Sequence, residues 1–272
     1  MKINYFDIHS HLESSRFEED REDVISRMKD EGVFTIAIGT DLENSKKVVR
    51  LADKYENIFA SIGLHPTDTN EDFNETDYAE LVKNLKVVAI GECGLEFSRL
   101  GEDSEGDPKS LEMIGQERQR QIDIFKKQID FAVKYDKPLM IHCRDAHFEA
   151  INILTEKKEQ YGAGLRGDIH FFSGDVDIAQ AYLDLGFTMS FTGVLTFTKD
   201  YDEVVRFIPL ERIMSETDAP YVAPVPYRGQ RCEPSYVEEA VKKIAEIKGL
   251  DYEIVKKAMV ENAVRFFGIK NS

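Results

Sequence analysis

The stretch YFDIHSHLE, residues 5 to 13, begins the pattern that sets the fold: a short apolar run that ends in polar residues. Residues i and i+2 of a β-strand point to the same face, so His9 and His11 can both reach one small ligand. A His-x-His pair alone is more often surface or hydrogen-bonded than part of a site. The rest of the chain has to decide between these interpretations.

Seven further apolar runs follow, and amphipathic segments such as SKKVVRLADKY separate them. The runs are VFTIAIG (33–39), IFASIG (58–63), KVVAIGE (86–92), PLMIHC (138–143), DIHFF (168–172), FTMSFTG (187–193) and RIMSETD (212–218). Near-continuous apolar strands are typical of parallel sheets that helices cover on both faces. The pattern predicts an α/β fold, a (β/α)8 TIM barrel with additional C-terminal helices over 235–248 and 252–267. A doubly wound open sheet is the alternative.

Composition limits the class of protein. The chain has 272 residues, of which 42% are hydrophobic, and we expect one domain over 1–272. No signal peptide and no apolar stretch of membrane-spanning length is evident, so we expect a cytoplasmic protein that does not bind membranes. The three cysteines form no Cys-x-x-Cys pair, which argues against disulfides and a thiolate zinc site. A monomer is favoured.

The charge balance excludes an ordinary DNA-binding surface. The chain has 35 Lys and Arg against 51 Asp and Glu, which gives a formal charge of −16. Such a body repels polyanions at long range and lacks the basic footprint of a nucleic-acid-binding domain. Any role on nucleic acid must therefore depend on local positive charge.

Polar residues cluster where the predicted strands end. The set comprises His9, His11, His65, Glu92, His142, His170 and Asp218, and it includes five of the six histidines. Each residue alone has a structural interpretation, such as a buried core histidine or a turn cap. In barrels, however, the active site lies at the carboxyl ends of the strands. One shared site explains the positions of these residues better than independent structural roles do.

The residue types favour a pair of metal ions. Imidazole and carboxylate groups bind zinc, manganese or iron, and one catalytic zinc usually takes three or four protein ligands. Four histidines and two carboxylates exceed that number, so two ions fit better. A carboxylate that bridges two ions, with a water activated between them, is a common hydrolytic arrangement.

Six segments of the chain resemble, in order, the signatures of the TatD family of metal-dependent deoxyribonucleases in the amidohydrolase superfamily. They are DIHSHL, IGLHP, IGECGLE, PLMIHCRDA, IHFFSG and ETDAPYVAPVPYRGQRCEP. The last two are the most specific, and the resemblance runs from about residue 5 to residue 268. It implies an amidohydrolase-like barrel and a hydrolase that cleaves DNA phosphodiesters.

The resemblance also implies roles. His9, His11 and Asp218 would bind one divalent ion (Zn, Mg or Mn), Glu92 would bridge to a second, and Asp218 would act as general base. The second ion would lie on His142 and His170, and His65 would contact phosphate or donate a proton. Phosphate contacts would come from Arg144, Arg228 and Lys199, although solvated surface charge explains Lys199 equally well.

One segment departs from the family pattern. Glu96 stands where the family usually has Asp, and residues 98–116 form a longer, acidic, turn-rich segment. Together with the net charge, this favours an enzyme that acts near the free ends of single-stranded DNA, and the resemblance implies a 3'-5' exodeoxyribonuclease. The alternatives are an esterase, lactonase or amidase on the same metals, including aminoacyl-ester hydrolysis on RNA, and a binding protein without turnover.

Overall fold

Parallel strands follow one another around the sheet in chain order. The computed structural model describes residues 2–67, 72–101 and 108–269, and within them one sheet has the order β1 to β8 without reversal. The strands are β1 (Tyr5–Ser10), β2 (Val33–Ile38), β3 (Ile58–Ile62), β4 (Val87–Glu96), β5 (Leu139–Arg144), β6 (Gly167–Ile169), β7 (Thr188–Phe191) and β8 (Ile213–Ser215). A doubly wound sheet would reverse its strand order. The predicted (β/α)8 barrel is confirmed.

Helices alternate with these strands and cover the outside of the barrel. They are α1 (Arg21–Glu31), α2 (Leu42–Lys54), α3 (Glu75–Tyr78), α4 (Leu111–Lys134), α5 (His147–Tyr161), α6 (Val176–Asp184), α7 (Asp202–Phe207), α8 (Val237–Lys248) and α9 (Tyr252–Phe266). The predicted C-terminal pair corresponds to α8 and α9. None of the helices in the described part of the chain combines the length and the apolar character that crossing a bilayer requires.

Local sequence explains how a typical crossover helix begins and packs. The Asp41 carboxylate accepts a hydrogen bond from the Asn44 backbone N–H at 2.7 Å, which satisfies a free donor at the start of α2. Val48, Val49 and Ala52 recur at helical spacing and are buried against the sheet. The helix therefore follows from its cap and its apolar face.

The barrel closes through residues that follow β8. Ser10 and Ala219 form a parallel bridge, and the His11 N–H donates to the Ala219 carbonyl at 2.7 Å. The Asp218 N–H donates to the His9 carbonyl at 2.9 Å. Closure of the barrel thus places Asp218 beside the two histidines that follow the first strand.

The ends of three strands differ most from the sequence prediction. β4 continues beyond the expected end at Glu92 to Glu96, because it pairs with β5 as far as Arg144. β6 and β8 are short, and the chain leaves the sheet before His170 and Asp218. Buried residues continue beyond both strand ends, Phe172 after β6 and Glu216 and Thr217 after β8, so the sequence pattern overestimates these two strands.

Gly94 allows β4 and β5 to approach closely, and it gives a stability prediction. Its φ is +135°, and a Cβ at this position would overlap the His142 carbonyl oxygen. Gly94→Ala should lower the free energy of unfolding by about 3 kcal/mol, because backbone strain and the clash add together. Urea denaturation followed by circular dichroism measures this change.

Gly115→Ala is the matched control. Gly115 lies on an exposed face of α4, with open space where a Cβ would be added. It should raise the free energy of unfolding by about 0.5–1 kcal/mol through helix propensity and unfolded-state entropy. Equal effects of the two variants would contradict the role assigned to Gly94.

Candidate metal centre

The Glu92 carboxylate lies between two groups of histidines. Its Oε1 is 3.0 Å from His142 Nδ1 and 2.9 Å from His170 Nε2, whereas its Oε2 is 3.5 Å from His9 Nε2 and 3.8 Å from His11 Nε2. The Glu92 side chain is 5% exposed. The two oxygens therefore face two different sets of potential ligands.

Asp218 completes the group on the Oε2 side. Asp218 Oδ1 is 3.4 Å from His11 Nε2 and 3.7 Å from His9 Nε2, and the two ring nitrogens are 3.3 Å apart. On the Oε1 side, His142 Nδ1 and His170 Nε2 are 3.4 Å apart. The structure thus brings together all six residues that the sequence predicts as ligands.

These spacings fit divalent cations. Bonds of roughly 2.0–2.2 Å in a tetrahedral arrangement place ligand atoms about 3.3–3.6 Å apart. The nitrogen–nitrogen distances of 3.3 and 3.4 Å in the two groups match this spacing. The set of imidazole and carboxylate donors also suits zinc or manganese.

Interactions with the histidines keep the carboxylates of the centre ionised. Burial raises the pKa of Glu92, but electrostatic interactions with His65 and His170 and hydrogen bonds with His142 and His170 outweigh burial and hold the pKa well below its usual value. Burial likewise opposes ionisation of Asp218, and hydrogen bonding to His11 with the nearby His9 lowers its pKa. Both side chains therefore offer anionic oxygens to a cation.

His65 differs from the four predicted histidine ligands. Its Nδ1 accepts the Thr67 backbone N–H at 3.2 Å, so neutral His65 carries its proton on Nε2. That Nε2 faces Glu92 Oε1 at 3.3 Å. Although His65, Glu92 and His142 are close enough to hold an ion, this tautomer makes His65 a hydrogen-bond donor toward the centre. Burial lowers its pKa and favours the neutral form.

Outer carboxylates contact the histidine nitrogens that point away from Glu92. Glu96 Oε2 is 3.1 Å from His142 Nε2, and Glu13 Oε1 is 3.5 Å from His11 Nδ1. Burial opposes ionisation of Glu96, but its hydrogen bonds to His142 and Ser98 lower its pKa to about 2. Such contacts fix the tautomer of a histidine ligand.

The sequence prediction omitted Glu13, and it noted Glu96 only as a departure from the family pattern. Glu216, which also faces the centre, was omitted as well. Spacing gave no reliable signal, because Glu13 lies in a turn after His11 and Asp218 has a φ of +57°. Neither pair lies on extended backbone, where residues two apart share a face.

A cavity of about 970 Å³ opens above the centre at the carboxyl ends of the strands. Two arginines line it, Arg144 from the end of β5 and Arg99 from the loop after β4. Neither guanidinium has an ion pair or hydrogen bond with any described residue. Residues 102–107 of the acidic segment 98–116 lie outside the described residues. The described part of this segment contributes Arg99 to the cavity, a positive charge that the sequence prediction missed.

The other two predicted phosphate contacts lie outside the lining of this cavity. The Arg228 guanidinium donates to the Ala223 carbonyl at 2.9 Å and stacks 4.0 Å from the centre of the Phe197 ring. Lys199 does not line the cavity either. Both side chains are therefore peripheral to the centre in this structure, and Arg144 is the one predicted cation that faces it.

Comparison with known proteins assigns the chain to a family. The family model described as TatD related DNase matches residues 6–268. The chain is 37% identical over 270 residues to an uncharacterized metal-dependent hydrolase, YabD, of Bacillus subtilis (strain 168), covering 97% of this chain and 99% of the relative.

Two further comparisons give a relative with a named activity and a solved structure. The chain is 35% identical over 275 residues to the 3'-5' ssDNA/RNA exonuclease TatD of Pectobacterium parmentieri (strain WPP163), covering 96% of this chain and 98% of that protein. The crystal structure of YJJV, a TatD homolog from Escherichia coli K12, superimposes with a TM-score of 0.84 at 25% identity, covering 99% and 100% of the two chains. The chain therefore belongs to the TatD-related DNase family of metal-dependent hydrolases.

Proposed function

We propose that this chain is a 3'-5' exonuclease that removes nucleotides from single-stranded DNA ends with the help of two divalent cations. The observation that carries the proposal is the orientation of Glu92, whose two oxygens face separate groups of ligands. The name of the Pectobacterium relative, a 3'-5' ssDNA/RNA exonuclease, supports the substrate class and the direction.

Six side chains would hold the cations. One cation would lie on His9, His11, Asp218 and Glu92 Oε2, and the other on Glu92 Oε1, His142 and His170. When bound, such cations offset phosphate charge and make a water molecule more acidic at neutral pH.

Asp218 and His65 would handle protons and phosphate oxygens. The Asp218 side chain is 16% exposed and faces the cavity, so it can orient a water molecule and accept its proton. His65 Nε2–H points toward the centre and would donate a hydrogen bond to a phosphate oxygen of the scissile group. The neutral imidazole retains this donor without adding a charge.

Positive charge in the cavity would bind the DNA strand, while the negative charge of the rest of the protein would limit the length of DNA that binds. Arg99 and Arg144 line the cavity, and neither forms an ion pair with a described residue. Guanidinium groups bind phosphate through paired N–H donors. The formal charge of −16 repels longer nucleic acid. Binding near a free end, where few phosphates approach the body, follows from this distribution.

The substrate test uses single-stranded oligonucleotides labelled at the 5' end and a closed circular single strand of the same sequence. We expect products that shorten from the 3' end on the linear strand, no cleavage of the circle, and loss of activity with chelator. An Asp218→Asn preparation controls for contaminating nuclease. Equal cleavage of circle and linear strand, or activity on carbonyl esters alone, would refute the proposal.

Arg99→Gln tests the phosphate contact. We expect kcat/KM on the oligonucleotide to fall roughly 10-fold and the slope of log affinity against log salt to decrease by about 1, because one phosphate contact is lost. Arg166→Gln is the matched control, since Arg166 precedes β6 at the opposite end of the barrel and pairs with Asp136. An unchanged salt slope in Arg99→Gln would exclude a phosphate contact.

A further inference from the structure

Glu216 follows β8 directly and lies beneath the metal centre. Its side chain is fully buried, and its Oε1 accepts the backbone N–H of Phe171 at 2.5 Å. This hydrogen bond ties Glu216 to the residue next to His170. One carboxylate oxygen is thereby fixed, and the other is directed toward the histidines.

The second oxygen of Glu216 faces two histidines at once. Glu216 Oε2 is 3.7 Å from His170 Nδ1 and 4.0 Å from His9 Nδ1. All three atoms are buried, and none has a hydrogen-bond partner among the described residues. A buried carboxylate oxygen without a partner is costly, so its place between two imidazoles requires a reason.

The two imidazoles are packed together but point to different sides of Glu92. The rings of His9 and His170 stack with centroids 3.9 Å apart and planes 12° apart. His9 Nε2 faces Glu92 Oε2 at 3.5 Å, whereas His170 Nε2 faces Glu92 Oε1 at 2.9 Å. Glu216 therefore lies behind one predicted ligand from each cation group.

We infer that Glu216 is a positioning residue that holds His9 and His170 together in the tautomer that both cation sites require. A neutral imidazole carries one proton, so a ligand through Nε2 needs its proton on Nδ1. Because Glu216 Oε2 is a hydrogen-bond acceptor that faces both Nδ1 atoms, its position favours a proton on each of them. This inference rests on the proposed two-cation function and adds a link between the two sites.

The other outer carboxylates act on one site each. Glu13 contacts His11, a predicted ligand of the first cation, and Glu96 contacts His142, a predicted ligand of the second. Each of them touches a single predicted ligand. They therefore form a matched set of controls with the same chemistry as Glu216.

The experiment measures Zn²⁺ binding rather than catalysis. Metal-free wild type, Glu216→Gln, Glu13→Gln and Glu96→Gln are dialysed against stepped Zn²⁺ concentrations, and bound metal is counted by elemental analysis. We expect two binding steps in wild type. Glu216→Gln should weaken both steps roughly 10- to 100-fold, and each control should weaken one step by a similar factor.

Two outcomes separate the inference from the proposed function. A wild type that binds two ions, together with a Glu216→Gln variant that loses affinity at one step or at none, would overturn the inference alone. A wild type that binds fewer than two ions would overturn the two-cation proposal itself.

A measurement on wild type covers the case in which the buried substitution prevents folding. Nitrogen NMR of the zinc-loaded protein reports which ring nitrogen of each histidine carries the proton. We expect protonated Nδ1 in both His9 and His170. A protonated Nε2 in either residue would overturn the inference without any variant.

Discussion

Glu92→Gln is expected to abolish tight binding of both cations and to lower kcat on single-stranded DNA roughly 10³-fold or more. The substitution keeps the shape of the side chain, but it removes the charge and replaces one carboxylate oxygen with an NH₂ group. Both groups of histidines face this carboxylate, so both cation sites lose a ligand. Loss of about 4 kcal/mol of transition-state stabilisation corresponds to this factor.

Elemental analysis and oligonucleotide kinetics on the same preparation measure the two effects of Glu92→Gln. Glu80→Gln is the control, because Glu80 is an exposed glutamate whose side chain pairs with Lys83. The control should bind metal and turn over as wild type does. A Glu92→Gln protein that retains two ions and wild-type kcat would show that Glu92 does not bridge.

Asp218→Asn is expected to lower kcat by about 10²- to 10⁴-fold with a smaller change in KM, because the general base is lost. The fold should be retained. Asp218 has a φ of +57°, and asparagine adopts the left-handed region readily. Binding of one cation should weaken as well, since Asp218 Oδ1 lies beside His9 and His11.

The control for Asp218→Asn is a second aspartate with the same backbone conformation. Asp136 has a φ of +53°, is exposed, and pairs with Arg166 on the opposite end of the barrel. Asp136→Asn should leave kcat and the melting temperature close to wild type. Single-turnover kinetics at saturating metal then isolate the chemical step, and an unchanged step in Asp218→Asn would exclude the general-base role.

The sequence predicted the barrel and the residues at its mouth because both depend on strong periodic signals. Buried parallel strands need apolar runs, and their carboxyl ends meet at one rim in chain order. For that reason the sequence alone places His9 and Asp218, far apart in the chain, at one site. The lengths of β6 and β8 were not predicted, since buried residues, apolar after β6 and polar after β8, continue beyond each strand end.

Contacts that depend on side-chain direction were harder to predict. Glu216 is a buried acid behind the site, and nothing in its spacing shows that one oxygen meets two imidazoles. Arg228 was predicted as a phosphate contact from its motif, but its guanidinium packs on Phe197 instead of lining the cavity. Arg99 lies in a segment of acidic composition, and the composition did not predict that its guanidinium would line the cavity. Net composition does not report which way each side chain points.

Anomalous diffraction from crystals grown with Mn²⁺ or Zn²⁺ tests the two-cation centre most directly. The geometry predicts two peaks, one on each side of the Glu92 carboxylate, the first within bonding distance of His9, His11 and Asp218 and the second of His142 and His170. A single peak, or peaks that these six side chains do not ligate, would contradict the two-cation centre.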